Sequence, residues 1–229
     1  MLSEVNGVLV AAHELKGPLA LLRQLAFSLE YADSDRERLE IQREMIDVSD
    51  RALKQINDLT RIARIESGRV NLESVAVRSV CNDVTSELGK LFRADRKNLE
   101  IDYRNHARLV VGNRDLIHSI VYNFCLNALH YSDVETASRL TVRDHQKNVR
   151  LEVRDFGPAL PTDVWKALRS GWLEQPTSIA MRPGSSGLGL YIASKFSKAM
   201  HAPVGAVRHR DGTSFYVELP AAKQESLFV

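Results

Sequence analysis

Apolar side chains at spacings of three and four residues dominate about the first 70 positions, and this is the period of an amphipathic helix. One apolar stripe runs from Val5 to Leu29 and a second from Met45 to Ala63. The polar segment 31–36 separates them, and either Ser34 or Asp35 is suited to cap the second helix. The pattern therefore predicts an antiparallel helical hairpin.

Such a hairpin has more apolar surface than it can bury by itself. Two hairpins commonly solve this problem by pairing into a four-helix bundle. We therefore expect a homodimer that forms through the hairpin. The alternative is that the hairpin packs against the rest of its own chain.

From about residue 71 the sequence alternates between helical and strand patterns, which indicates a second domain. The patterns predict helices at 77–92, 113–129, near 161 and at 187–200, and strands at 99–103, 108–111, 139–144, 148–155, 204–208 and 214–219. Helices combined with a largely antiparallel sheet form an α+β sandwich.

Composition excludes several classes of protein. The chain has 31 basic and 29 acidic residues and a net charge of +2, which is too balanced for a nucleic-acid surface. Its longest apolar run, 8–12, is far below the ~18 residues that cross a membrane, and the N-terminus is not typical of a signal peptide. Cys81 and Cys125 fit no zinc motif. We expect a cytoplasmic segment without membrane contact, although a membrane or sensor region could precede it in a longer protein.

Four short segments contain residues that are suited to catalysis or to ligand binding. In the first, His13 is followed by Glu14 and, within the same predicted helix, by Pro18. Proline inside a helix costs about 3 kcal/mol, and a kink there would loosen the helix beside the histidine. Taken alone, a histidine in a helix is more often an ordinary surface or core residue.

The second segment places Asn123, Asn127 and His130 on one face of a helix, because they recur at i, i+4 and i+7. An amide oxygen is a hard ligand of the kind that Mg²⁺ accepts. The alternative is a pair of buried asparagines that bond to the backbone.

The third and fourth segments are short and glycine-containing. Asp155 follows a strand and could accept from an amino group such as that of adenine, while Gly157 allows a flat ligand close to the backbone. Gly187 and Gly189 open a helix whose free N–H groups could bind phosphate. Each segment by itself also describes an ordinary turn or helix start.

In this order, the segments resemble the catalytic core of the sensor histidine kinases of two-component systems, over essentially the whole chain. The similar segments are His13–Leu19 for the phosphoacceptor box, Asn123 and Asn127 for the asparagine box, Asp155 and Gly157 for the first glycine box, Gly187–Leu190 for the second, and Gly212–Phe215 for the closing Gly-Thr-x-Phe strand.

The resemblance implies both a fold and a reaction. Residues 1–70 would form the dimerisation and phosphotransfer hairpin, and residues 71–229 a gyrase/histidine-kinase-type α/β sandwich that binds ATP. His13 would be autophosphorylated with Glu14 as general base. The phosphoryl group would then pass to an aspartate of a response-regulator receiver domain.

The resemblance also implies the ligands and their residues. Asn127 would hold Mg²⁺, Asp155 would bind the adenine amino group, and segment 169–186 would form a lid over ATP. His130 stands where many relatives have lysine, so its phosphate contact would depend on protonation. The full set of implied nucleotide contacts is Asn123, Asn127, His130, Tyr131, Asp155, Gly157, Gly187, Leu188, Gly189, Leu190 and Thr213.

The chain departs from the family pattern at three positions. Gly17 replaces a threonine that is tied to dephosphorylating the regulator, while Ala159 and Ser185 replace glycines. These changes keep open the alternative of a catalytically silent dimeric scaffold. A simple ATPase is disfavoured because Asn123 cannot act as the base that activates water.

Overall fold

The computed structural model describes residues 2–66, 70–104, 108–160, 162, 165–166 and 188–222, with the side chains of the first helix described from residue 15 onward. The chain consists of two compact units, which span residues 1–67 and 68–229. The role of each unit remains a prediction.

The first unit is a helical hairpin, as predicted. Helix α1 spans Leu2–Glu30 and runs through Pro18, and α2 spans Asp35–Glu66. Ser34 caps α2, because its Oγ accepts from the amide of Glu37 at 3.2 Å. The Glu37 carboxylate in turn accepts from the amide of Asp33 at 3.0 Å. These two bonds fix the turn between the helices.

One copy of the hairpin buries only part of its apolar surface. Leu25 and Val48 are buried, whereas Leu19 and Ile46 are each 60% exposed. Other large apolar side chains that stay exposed are Phe27, Tyr31, Leu39, Leu53 and Ile56. The hairpin therefore presents a second apolar surface that its own two helices leave uncovered.

The second unit is built on a five-stranded sheet with the order β2-β4-β5-β7-β6. Only β2 and β4 pair in parallel, so the sheet is largely antiparallel as predicted. The elements are β1 (Glu73–Val75), α3 (Val77–Ala94), β2 (Asn98–Arg104), β3 (Val110–Gly112), α4 (Arg114–Tyr131), β4 (Ala137–His145), β5 (Asn148–Arg154), α5 (Leu188–Ala199), β6 (Val204–His209) and β7 (Gly212–Pro220). The short strand β1, which was not predicted, pairs with β3.

One face of the sheet packs on a helical layer formed by α3, α4 and α5. Alternate residues of the central strands are buried, as expected for a sheet with one covered face. Phe124 of α4 stacks on Phe215 of β7 with ring centroids 5.8 Å apart. This two-layer packing confirms the predicted α+β sandwich and sets α4 against the centre of the sheet.

Two sequence predictions cannot be compared with this architecture. Of the helix expected near residue 161, only residues 162, 165 and 166 are described, and these are helical; the lid at 169–186 lies outside the described residues. Among the helices that are described, none is long and apolar enough to cross a membrane.

Candidate functional site

Helix α4 carries four of the predicted site residues, and its start is fixed by a side-chain cap. Asn113 Oδ1 accepts from the amides of Asp115 and Leu116 at 3.1 and 3.2 Å and thereby caps the helix. The Asn113 side chain also donates to the carbonyl of Asn71 at 3.1 Å. The cap and the buried apolar face of α4 together orient its polar residues.

Asn123 and Gly189 lie in direct contact. Asn123 Nδ2 donates to the carbonyl of Ser119 at 2.8 Å, and this bond orients the amide. A Cβ added to Gly189 would stand only 2.7 Å from Asn123 Oδ1. The first turn of α5 therefore approaches α4 this closely because residue 189 has no side chain.

Asp155 and Thr213 are joined by two hydrogen bonds between the end of β5 and the start of β7. The Asp155 amide donates to the Thr213 carbonyl at 2.9 Å, and the Thr213 amide donates to Asp155 Oδ1 at 3.0 Å. Asp155 is only 2% exposed. Gly212, at φ 143°, makes room for this pair, since a Cβ there would meet the Asp155 carbonyl oxygen at 2.1 Å.

Gly157 lies against the backbone at the end of α4. A Cβ on Gly157 would stand 1.8 Å from the carbonyl oxygen of Tyr131. The Asp133 amide donates to the Phe156 carbonyl at 3.1 Å, and Ser132 Oγ accepts from the Phe156 amide at 3.4 Å. These contacts join the Asp155–Gly157 segment to the last turn of α4.

The contacts link most of the predicted nucleotide residues into one connected set. Asn123 on α4 meets Gly189, and Tyr131 on the same helix meets Gly157, two residues after Asp155. His130 is exposed and lies edge-on to Tyr131 with ring centroids 6.4 Å apart. Leu188 and Leu190, which flank Gly189, are buried.

In this set, Asn127 Nδ2 and Thr213 Oγ1 are buried without a hydrogen-bond partner among the described residues. Buried polar atoms are nearly always paired in folded proteins, so each such atom calls for an explanation. A ligand that offers polar groups at both positions would supply the missing bonds. The amide of Asn127 can also present its oxygen there by a half-turn, which is the donor type that Mg²⁺ accepts.

Three predicted site residues do not belong to the described part of the second unit. His13 and Glu14 belong to α1 in the first unit, and Gly187 lies outside the described residues. Within the described part of the chain, no group of three His, Cys, Asp or Glu side chains could hold a metal ion.

The two cysteines are not suited to nucleophilic chemistry. Both are fully buried in the helical layer. Burial raises the pKa of the Cys81 thiol to about 12, and burial, followed by the nearby Cys81, raises the pKa of Cys125 as well. Thiolates at these positions would be rare at neutral pH.

Sequence reasoning missed several residues that build the site. Ser119 and Ser132 orient Asn123 and the Phe156 backbone, and Arg208 Nε donates to the carbonyl of Leu160 at 2.8 Å. Ser119 could have been found, because it lies one helical turn before Asn123. Ser132 and Arg208 act across the tertiary structure and leave no local pattern.

Comparison with known proteins identifies the class. Residues 112–223 match the family described as histidine kinase-, DNA gyrase B- and HSP90-like ATPase. The sensor histidine kinase GacS of Pseudomonas protegens is 24% identical over 220 residues, which are 93% of this chain and 24% of GacS. The probable sensor histidine kinase TcrY of Mycobacterium tuberculosis is 25% identical over 217 residues, 92% of this chain and 44% of TcrY.

Solved structures show the same fold. A solved chain of histidine kinase AdeS of Acinetobacter baumannii superposes with a TM-score of 0.64 and 16% identity over 91% of this chain and 98% of that solved chain. Full-length ShkA in complex with AMPPNP superposes with a TM-score of 0.62 and 22% identity over 96% of this chain and 46% of the ShkA chain. ThkA in complex with the response regulator TrrA superposes with a TM-score of 0.61 and 13% identity over 92% of this chain and 60% of the solved ThkA chain.

Residues 112–223 therefore form an ATPase domain of the histidine kinase, gyrase B and HSP90 type. The curated relatives GacS and TcrY are both named sensor histidine kinases and match more than nine-tenths of this chain, which confirms the resemblance seen in the sequence. The chain spans about a quarter of GacS and less than half of TcrY.

Proposed function

We propose that this chain is an ATP-dependent protein-histidine kinase that phosphorylates His13 and passes the phosphoryl group to an aspartate of a response regulator. The observation that supports this most directly is the connected set of Asn123, Gly189, Tyr131, Gly157 and Asp155 in an ATPase domain. His13 belongs to the hairpin unit of the same chain.

Asp155 is the residue that we assign to the adenine amino group. Its Oδ1 accepts from the Thr213 amide, which orients the carboxylate. A carboxylate oxygen accepts hydrogen bonds, so Asp155 favours a base that presents an amino group and disfavours one that presents a carbonyl. The unpartnered Thr213 Oγ1 beside it offers a further polar contact to the base.

Asn127 is the residue that we assign to Mg²⁺, with Asn123 beside it on α4. The buried and unpartnered amide end of Asn127 supports this role. When bound, Mg²⁺ neutralises charge on the phosphates during transfer. His130, exposed one turn further along α4, would contact phosphate more strongly when protonated.

The chemical step that we propose uses the neutral imidazole of His13 as nucleophile. A ring nitrogen attacks the γ-phosphorus, a P–N bond forms, the bond to the bridging oxygen breaks and ADP leaves. Glu14 accepts the proton from the other ring nitrogen. Asn123 cannot activate water as a base, which favours transfer over hydrolysis. The phosphoryl group then moves from His13 to a carboxylate oxygen of the regulator.

A histidine variant with a matched control tests the acceptor. We expect the protein, incubated with γ-labelled ATP and Mg²⁺, to acquire label that is acid-labile and alkali-stable. His13→Gln should lose this label, whereas His201→Gln, which changes an exposed histidine of the second unit, should retain it. Equal labelling of His13→Gln would place the acceptor elsewhere. ATP binding without label in the unmutated protein would favour the silent scaffold.

We also propose that the chain is a homodimer in the cytoplasm and that its partner is a receiver domain. The exposed apolar residues of the hairpin support the dimer, and the solved complex of the similar kinase ThkA with TrrA supports the partner. Light scattering should give twice the mass of one chain. Ile46→Glu should shift the protein toward monomer, because it places a charge on the exposed apolar surface. Glu44→Gln, at a neighbouring exposed position, should leave the dimer intact.

A further inference from the structure

Lys97, between α3 and β2, has a buried side chain that ends on a different helix. The residue is 9% exposed, and its Nζ donates to the carbonyl of Leu129 in the last turn of α4 at 2.6 Å. Lysine is seldom buried to this extent unless its charge has a partner. The contact joins two segments that are 32 residues apart in the sequence.

The backbone of the same residue ends α3. The Lys97 amide donates to the Phe92 carbonyl at 2.8 Å, and the Arg96 amide donates to the Arg93 carbonyl at 3.1 Å. Arg96 has a left-handed φ of 55°, and together with these two hydrogen bonds it forms a Schellman motif. Lys97 therefore terminates α3 with its amide and α4 with its ammonium group.

The partner of the buried charge is the end of α4 itself. Among the described residues, no carboxylate oxygen lies within 4 Å of Lys97 Nζ. The last carbonyls of a helix lack intrahelical donors and carry the negative end of its dipole, which favours a cation. Helix α4 also lacks a C-terminal glycine, since its C-cap residue is Ser132. A donor from outside the helix therefore satisfies the Leu129 carbonyl.

This end of α4 is the part of the helix that contacts the Asp155–Gly157 segment. Leu129 lies two residues after Asn127 and two before Tyr131, whose carbonyl oxygen is in contact with Gly157. A change in the last turn of α4 would therefore alter the spacing between Asn127 and Asp155. Lys97 itself directly precedes β2 and is not one of the residues that we assign to the nucleotide.

We infer that Lys97 is a positioning residue for nucleotide binding, which it serves by fixing the last turn of α4 against the Asp155–Gly157 segment. This inference rests on the proposed function, because it requires that the site binds ATP. A lysine that only capped a helix would affect unfolding and leave the affinity of the folded protein for nucleotide unchanged.

Binding of ADP with Mg²⁺, measured by calorimetry on the full chain at a temperature where circular dichroism shows every variant folded, tests the inference. We expect Lys97→Met to weaken binding about tenfold, since it removes a charged hydrogen bond at the end of α4. Lys97→Arg keeps a cation and a donor and should recover most of the affinity. Lys90→Met removes an exposed lysine of α3 and should bind like the unmutated protein.

The outcomes separate this inference from the proposed function. If the unmutated protein does not bind ADP, the proposed function is wrong and the positioning role with it. If it binds and Lys97→Met lowers the melting temperature while the Kd stays within about twofold, Lys97 is only a helix cap. If Lys97→Met does not fold, Lys97→Gln, which keeps a donor without the charge, takes its place under the same criteria.

Discussion

The carboxylate of Asp155 accepts from the amide of Thr213, and the amide of Asp155 donates back to the Thr213 carbonyl. The side chain is thus oriented by the backbone of the neighbouring strand and not by a mobile group. In Asp155→Asn the amide oxygen can keep the bond to Thr213, and an NH₂ group then replaces the second oxygen.

We therefore expect Asp155→Asn to change the preference of the site for the base. The NH₂ group cannot accept from the adenine amino group, and binding of ATP should weaken about tenfold or more. A 6-oxo purine offers an acceptor at the same position, so inosine triphosphate should lose less affinity than ATP. Titration of both nucleotides measures the change, and an equal loss for both would contradict the assignment of Asp155 to the base.

Gly189→Ala should impair the part of the site that we expect to bind the phosphates, where the first turn of α5 contacts Asn123. The new Cβ would lie 2.7 Å from Asn123 Oδ1, so the amide that Ser119 orients must move. We expect a loss of phosphorylation rate of about tenfold with little change in fold. The control is Gly89→Ala in α3, where the Cβ meets only the flexible Arg93 side chain at 3.3 Å. This control should keep its activity and gain up to about 1 kcal/mol in stability.

Gly157→Ala should be more severe than Gly189→Ala. Its Cβ would stand 1.8 Å from the Tyr131 carbonyl oxygen, a backbone atom that cannot rotate away. We expect a loss of about 1–3 kcal/mol in the free energy of unfolding, together with weaker binding of ADP. Urea unfolding followed by tryptophan fluorescence reports on the second unit, because both tryptophans, Trp165 and Trp172, belong to it. Unchanged stability would show that the segment is not packed as described.

Stability of the second unit should fall on mild acidification, in part through His209. Burial, followed by the nearby Arg154, lowers the pKa of His209, while Glu152 and Asp211 act in the opposite direction. The unfolded chain takes up this proton at the ordinary pKa, about 6.5, and the folded protein only at lower pH. His209 therefore contributes stability above pH about 6.5, and this contribution is lost as the pH falls from there toward the lower pKa of the folded protein.

Unfolding of His209→Gln at pH 7.5 and 5.5 checks this pH dependence. The variant should lose less stability than the unmutated protein between these values, by at most about 1.4 kcal/mol per pH unit. His201→Gln, at an exposed position, should match the unmutated protein. A variant of His209 with the same pH dependence as the unmutated protein would exclude this contribution.

The fold was predictable where the pattern is local. The hairpin, the helix capped by Asn113 and the paired strands β4 and β5 follow from periodicity and from capping residues. The three-residue strand β1 was missed because it is too short to show a period. The parallel pairing of β2 with β4 joins strands separated by a helix, and the alternation of side chains does not specify that partner.

The sequence by itself determined the class of protein and the residue types of the site, because the order and spacing of its short motifs are local properties of the chain. Only the tertiary structure decided how they meet. The bond of Thr213 to Asp155 spans 58 residues, and the contact of Gly189 with Asn123 joins two helices. The double role of Lys97 depends on where α3 ends relative to α4. Such contacts arise from strand register and helix packing, which bring together residues whose neighbours in sequence give no sign of the pairing.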